Sequence, residues 1–248
     1  MDALTIAAAS GLRARMESLE MLANNLANQA TEGFKADREF YSLYISAEAA
    51  AATAHGDSPY GAVLPVIERH WTDFSQGSLK PTKNPLHLAL SGPGFFAVHG
   101  PSGPLYTRNG NFRISASGLL VTADGYPLRA VGGGTIAIPA GEDVEVAADG
   151  TVTAGAQVVG QLELVDFAER HLLVKRGKNY FEAPAGAQRT TAAGAVQQGA
   201  LESSNVSAPE AAARLVSVLR QFEMLQRAIA IGAEMNRRAV EEVARVNP

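Results

Sequence analysis

The chain has no cysteine among its 248 residues, one tryptophan, and only 6% aromatic side chains. Without thiols, disulfide staples and thiolate metal sites are excluded, and the redox compartment stays open. Charge of either sign is sparse and scattered: 21 Lys and Arg against 25 Asp and Glu give a formal net charge of -4, with no basic run. Such a surface offers no polycationic footprint, so nucleic acid is not an expected partner. No window of about 18 uninterrupted apolar residues exists, and Met1-Asp2-Ala3-Leu4 lacks the basic and apolar regions of a secretory leader. Neither membrane insertion nor leader-directed secretion is expected. What remains, at 46% hydrophobic, is enough for a sizeable core in one large domain or two modest ones.

The two ends of the chain read alike. Over residues 3–29, Leu12, Met16, Leu19, Ala23 and Leu26 recur at heptad-like steps, with Leu22 widening the stripe and Arg13, Arg15, Glu17 and Glu20 on other faces. This predicts an amphipathic helix that needs a partner helix. Asn24, Asn25 and Asn28 crowd its last turns before Gly33, although asparagine disfavours helix interiors. They either cap the helix end or supply amide bonds between helices or subunits. At the far end, Ser207-Ala208-Pro209-Glu210 fits a capping box, with proline tolerated in the first turn. From there Leu215, Leu219, Phe222, Leu225 or Gln226, Ile229, Ala233, Asn236, Val240 and Val243 recur at three- and four-residue steps. A stripe this long and narrow predicts bundle or coiled-coil packing, with the N-terminal helix as the natural partner.

Between the helices the pattern is that of strands. An Ala-rich run from Ile45 towards Pro65, containing His55-Gly56-Asp57-Ser58-Pro59, marks a loop boundary. Short apolar alternations follow, among them Leu86, Leu88 and Leu90, Phe95 to Val98, and Leu162 to Val165. Asn109-Gly110, Asp124-Gly125 and Asp149-Gly150 between such runs are hairpin signals. Spacings of roughly 8–12 residues without a helical period predict an antiparallel sandwich or irregular barrel. The Gly/Ala-rich stretch Ala183 to Gly199 reads as an extended return. Gln76-Gly77-Ser78-Leu79 and Gln198-Gly199-Ala200-Leu201 echo each other on the way into and out of the β body, as neighbouring segments at its base would.

Catalytic signatures are missing. His55, His70, His87, His99 and His171 form no helical ligand pair. Gly132-Gly133-Gly134 lacks the Gly-Lys-Ser/Thr of a phosphate loop, and neither Ser91-Gly92 nor Ser102-Gly103 makes a hydrolase elbow. Of Asp124, Asp143, Asp149 and Asp166, two are explained as Asp-Gly turn residues rather than as a glycosidase pair. Trp71 beside Phe74 reads as core rather than as a binding platform. No enzyme, cofactor or metal site is expected.

Five collinear motifs carry a resemblance. They are Asn24-Asn25-Leu26-Ala27-Asn28 with Thr31-x-Gly33-Phe34-Lys35; Phe74-Ser75-Gln76-Gly77-Ser78-Leu79-Lys80-Pro81-Thr82; Leu88-Ala89-Leu90-Ser91-Gly92-x-Gly94-Phe95-Phe96; Tyr106-Thr107-Arg108-Asn109-Gly110-x-Phe112; and Gly199-x-Leu201-Glu202-x-Ser204-Asn205-Val206. Together they resemble bacterial flagellar basal-body rod proteins, over almost the whole chain. Gly33-Phe34-Lys35-Ala36-Asp37 and Arg220-Gln221-Phe222-Glu223-Met224 are similar to proximal-rod members, with distal-rod members the near alternative. His87 departs from the family, which usually has an acidic residue there. A rival from another class is a carbohydrate-binding or hydrolytic β domain carried on a coiled coil.

The resemblance implies an α+β fold in which long terminal helices form a coiled-coil or bundle arm around a central all-β domain. Its expected parts are helical assembly regions at 1–36 and 207–248, an extended linker at 37–84, a β domain at 85–182 and a return segment at 183–206. It implies a non-enzymatic subunit of the periplasmic rod of the basal body, exported through the flagellar type III channel. Its partners would be other copies of itself, other axial rod proteins and that export apparatus. The implied assembly surface comprises Leu12, Met16, Leu19, Leu22, Asn24, Asn25, Leu26 and Asn28 from the N-terminal region. From the C-terminal region it takes Ser204, Asn205, Val206, Leu215, Leu219, Phe222, Leu225 and Ile229.

Overall fold

A computed structural model describes residues 3–45 and 63–246. Most of the expected loop between Ile45 and Pro65 lies outside the described residues. The chain opens with helix α1 (Ala3–Ala27), followed by strands β1 (Asp37–Ile45) and β2 (Val63–Thr72). Then come β3 (Leu79–Pro81), β4 (Leu88–Ser91), β5 (Phe95–Gly100), β6 (Gly103–Thr107), β7 (Phe112–Ile114) and β8 (Leu120–Thr122). The second half holds β9 (Val144–Val146), β10 (Thr151–Ala154), β11 (Gln157–Gln161), β12 (Leu164–Phe167), β13 (Val174–Arg176) and β14 (Tyr180–Glu182). It ends with β15 (Arg189–Thr191), β16 (Ala195–Gln198), β17 (Ala200–Glu202) and helix α2 (Ala208–Val246). The fold is α+β, with terminal helices and a central antiparallel β-rich region. It divides into two compact units, one of α1, Asp37–Trp71 and the chain from Ser207, the other of Asn28–Ala36 and Thr72–Val206.

In the helical unit, α1 packs on α2 and β1 pairs with β2. Along α2, Ala211 and Val218 are buried, and Leu215, Phe222, Leu225 and Ile229 are half-buried, at alternating steps of four and three. Val218 takes the place that the sequence pattern assigned to Leu219, which is 42% exposed. Along α1 the inward face is Gly11, Ala14, Ser18, Leu22 and Asn25. The stripe expected to face inward is rotated off it: Leu12, Leu19 and Leu26 are half-buried, Ala23 is exposed and Met16 is 52% exposed. Small side chains decide the rotation. With Gly11, Ala14 and Ser18 inward, α2 approaches closely and Leu225 lies over Gly11, which gains more dispersion contact than larger residues would allow.

The β unit is organised by a six-stranded sheet in the order β13-β14-β6-β5-β12-β15. Its strand β5 alternates Phe95 and Ala97 on one face with Phe96 and Val98 on the other, and all four are buried. Each face therefore carries its own core. One gathers Phe96, Val98, Leu88, Leu90, Phe112 and Ile136, the other Phe95, Tyr106, Phe167 and Phe181. Phe74 joins the second with edge-on contacts to Phe95 and Phe181 at 5.5 and 5.1 Å. Trp71, expected in a core, is 44% exposed.

Two of the three hairpin signals are turns. Asp149-Gly150 joins β9 to β10, whose Val146 and Val152 pair, and Asp124-Gly125 bends the chain so that Val121 bridges Pro127. Asn109-Gly110 is different, because β6 pairs with β5 and β14 while β7 pairs with β8. A β-carbon on Gly110 would lie 1.5 Å from the Leu88 carbonyl oxygen, so glycine is needed there for close approach and not for a hairpin. The return stretch is extended and also paired. Its β15 closes one edge of the large sheet, and β16 pairs with β4 and buries Val196. The two echoing segments do meet, as β3 and β17 pair antiparallel with Leu201 opposite Lys80.

Candidate functional site

The motifs that carried the resemblance converge on one buried charge cluster in the β unit. Lys35, Arg108 and Glu202 are 0%, 4% and 0% exposed. The Lys35 ammonium donates to Glu202 Oε1 at 2.5 Å and to the Ser75 carbonyl at 2.7 Å. Glu202 Oε1 also accepts the Gly77 N–H at 2.9 Å, and its Oε2 accepts from Arg108 Nη1 at 3.1 Å. Arg108 Nη2 turns to the Gly92 carbonyl at 2.7 Å, and its guanidinium lies 5.6 Å from the Phe95 ring centre. Burial pulls the Lys35 ammonium below its ordinary value, and the Glu202 carboxylate opposes that pull. The same two influences act in the same order on Arg108. Two cations share one carboxylate here, and carbonyl dipoles complete their coordination.

Backbone shape admits this cluster. A β-carbon on Gly77 would lie 1.9 Å from the Ser203 carbonyl oxygen, so only glycine lets its N–H reach Glu202 beside the β3–β17 ladder. The Gly33 N–H donates to the Glu202 carbonyl at 2.7 Å. Lys175 donates to the Lys35 carbonyl at 2.8 Å and sits 4.3 Å over the buried Phe34 ring. Asn205 Oδ1 accepts the Ala36 N–H at 2.8 Å, while its Nδ2 donates to the Asp73 carbonyl at 2.7 Å. Four segments remote in sequence are thereby tied where the chain enters and leaves the β body.

The expected assembly residues divide between inward and outward roles. Asn25 makes a reciprocal pair with the Asp37 backbone, donating to its carbonyl at 2.7 Å and accepting its N–H at 2.9 Å. Asn28 accepts from the Thr31 hydroxyl at 3.2 Å. Asn24 is exposed. Ser204 Oγ accepts the Val206 N–H at 3.2 Å, and Ser204, Asn205 and Val206 are half-buried. Leu22 is buried, and Leu12, Leu19, Leu26, Leu215, Phe222, Leu225 and Ile229 are half-buried. Met16 and Leu219 point outward, together with Met224, Ile231 and Met235 at 60, 61 and 65% exposure. The triad itself went unread in the sequence. Its only signal was a single charge set in each of the glycine-containing motifs Gly33-Phe34-Lys35, Tyr106-Thr107-Arg108-Asn109-Gly110 and Gly199-Ala200-Leu201-Glu202.

His87 is held on both sides, with Nδ1 2.9 Å from Thr82 Oγ1 and Nε2 3.1 Å from the Asn84 amide. Among the described residues no group of three His, Asp or Glu is placed to hold a metal ion.

Comparison with known proteins matches three family models along the chain. Residues 7–35 match flagella basal body rod protein, 89–154 the flagellar hook protein FlgE/F/G D1 domain, and 197–242 the flagellar basal body rod FlgEFG protein C-terminal region. The flagellar basal-body rod protein FlgF of Caulobacter vibrioides is 35% identical, over 92% of this chain and 93% of its own length. The rod protein FlgG of the same organism is 33% identical, over 92% and 94%. FlgG of Bacillus subtilis is 30% identical, over 91% and 93%.

Proposed function

This chain belongs to the flagellar basal-body rod protein family, and on that footing we propose that it builds the proximal part of the rod. It is a structural subunit of the basal-body rod, and in this reading it acts by self-association rather than by chemistry. Assignment to the proximal part is supported by 35% identity to the Caulobacter FlgF against 33% to FlgG of the same organism. It is supported too by Gly33-Phe34-Lys35-Ala36-Asp37 and Arg220-Gln221-Phe222-Glu223-Met224.

The observation that carries the mechanism is the second apolar stripe of α2. Met224, Ile231 and Met235 stand 60–65% exposed on a helix whose other stripe already packs against α1. Two helices packed on each other leave this stripe uncovered, so neighbouring copies and other rod proteins supply the missing contacts, with the exposed Met16 and Leu219 adding contacts on other faces. The helices thus act as a coiled-coil arm, and the central strands as an irregular sandwich or barrel carried by it. The same proposal divides the chain into assembly regions at 1–36 and 207–248, connecting segments at 37–84 and 183–206, and a β domain at 85–182, onto which β15 and β16 of the second connecting segment pair. Head-to-tail contacts of this kind do not close on themselves and give an open axial filament able to transmit torque. Export through the flagellar type III channel delivers the subunit to the periplasm.

Met224→Asp with Ile231→Asp tests this reading. Both side chains already face solvent, so the purified variant should keep the wild-type circular dichroism spectrum and fail to enter basal bodies. Normal incorporation and swimming would refute assembly through this stripe.

A further inference from the structure

The six-stranded sheet splits along one seam. Strand β6 pairs with β5 along its whole length, from Thr107 to Gly103, but with β14 only at Thr107 and Tyr106. Beyond Tyr106 the two strands part, and a cavity of about 950 Å³ opens between β6 and the chain following β14. That volume is in the range of small-ligand sites.

The wall excludes one obvious occupant. The His99 N–H donates to the Pro127 carbonyl at 2.8 Å, so His99 and the opposing Pro104 direct their backbone groups away from each other. Pro104 therefore faces the opening, and it has no N–H to give. An added peptide strand would find a carbonyl without the donor it needs.

Side chains supply the recognition instead. Tyr126 lines the cavity with its ring edge-on to Tyr180 at 5.4 Å, and the Tyr180 hydroxyl donates to Asp124 Oδ2 at 2.6 Å. Glu182 is held by Arg176 at 2.6 Å, so both carboxylates on the wall are engaged. Lys178 and Arg189 also line the cavity, and among the described residues neither has an ion-pair partner. Arg189 stacks 5.8 Å from the ring centre of Tyr106, whose buried hydroxyl has no hydrogen-bond partner among the described residues. An aromatic face serves the apolar side of a sugar ring, the amides of Asn109 and Asn179 serve hydroxyls, and the uncommitted charge is positive.

We infer that this cavity binds a carboxylate-bearing saccharide, with Tyr126 as the stacking platform and Lys178 and Arg189 as the carboxylate contacts. The inference does not depend on the assembly reading, and monomeric full-length chain suffices to test it. Titration of the ¹⁵N-labelled chain with a hyaluronan tetrasaccharide, which carries glucuronate, should shift amides around Tyr126, Lys178 and Arg189. Neutral chitotetraose should bind about tenfold more weakly. Lys178→Gln with Arg189→Gln should erase that preference, and Tyr126→Ala should weaken both ligands while Tyr126→Phe retains them. Lys178 and Arg189 line the cavity and Tyr126→Phe keeps the ring that packs beside Tyr180, so outside the cavity the spectra of the Gln and Phe variants should match wild type. Equal affinity for the two sugars, no shift from either, or tighter binding of a hexaglutamate peptide at the same amides would overturn the assignment.

Discussion

At the scale of single residues, the decisive group is Glu202. Its carboxylate is shared by two buried cations, and both lie far off in sequence, Lys35 by 167 positions and Arg108 by 94. Glu202→Gln would leave those cations without a counter-charge, and breaking such a buried pair costs about 3–5 kcal/mol. Urea unfolding should show the midpoint falling accordingly, whereas an unchanged midpoint would mean the cluster contributes no net stability. A second residue gives a pH signature. Burial disfavours the Asp166 anion, but the Arg170 fork at 2.8 and 2.7 Å, the Phe167 N–H and the Arg170 and Arg108 charges outweigh it and hold the carboxyl below its ordinary value. With the folded value depressed, the stabilisation is present above the unfolded value of about 4 and is lost as pH falls through the folded one. Asp166→Asn should therefore cost about 1 kcal/mol near neutrality. Unfolding measured down the acid range should show that gap closing below about pH 4; a gap independent of pH would assign the effect to packing. The pairing of Glu202 was not legible beforehand, because partners 94 and 167 positions away leave no periodic trace; Asp166 is only four residues from Arg170, but it lies in strand β12, where that spacing carries no expectation of contact.

At the scale of elements, periodicity identified both helices and the capping box placed the start of α2, where the Ala211 N–H bonds the Ser207 carbonyl at 2.9 Å. In α2 it also identified most of the inward face, but in α1 it did not. Apolar size pointed to Leu12, Met16 and Leu19, but close approach favoured Gly11, Ala14 and Ser18. Gly11→Leu tests that explanation, since its first added carbon would already lie 3.5 Å from Leu225 Cδ1. Overpacking of this kind costs about 1–3 kcal/mol. The helical part of the thermal transition should move down while the aromatic signal of the β unit stays; no movement would mean the helices are not held at this contact. Strand signals fared unevenly for a related reason. Asp149-Gly150 is a local turn and could be read locally, whereas Gly110 exists for a contact with Leu88 that only the folded chain makes.

At the scale of the whole molecule, family motifs that look like unrelated strings are one structural device. They lock the passage of the chain through the base of its β unit, while the terminal helices leave Met16, Met224, Ile231 and Met235 exposed. Leu19→Asp, at a half-buried position, with Leu219→Asp, at an exposed one, should preserve the folded β unit and abolish motility in a swarm assay; wild-type swarming would show that these helix positions are not used. The place of the subunit in the rod is most directly tested by electron microscopy of basal bodies from a strain lacking this chain. A proximal rod subunit predicts a rod that stops near the inner membrane and carries no hook. A complete rod with its hook attached would contradict the account.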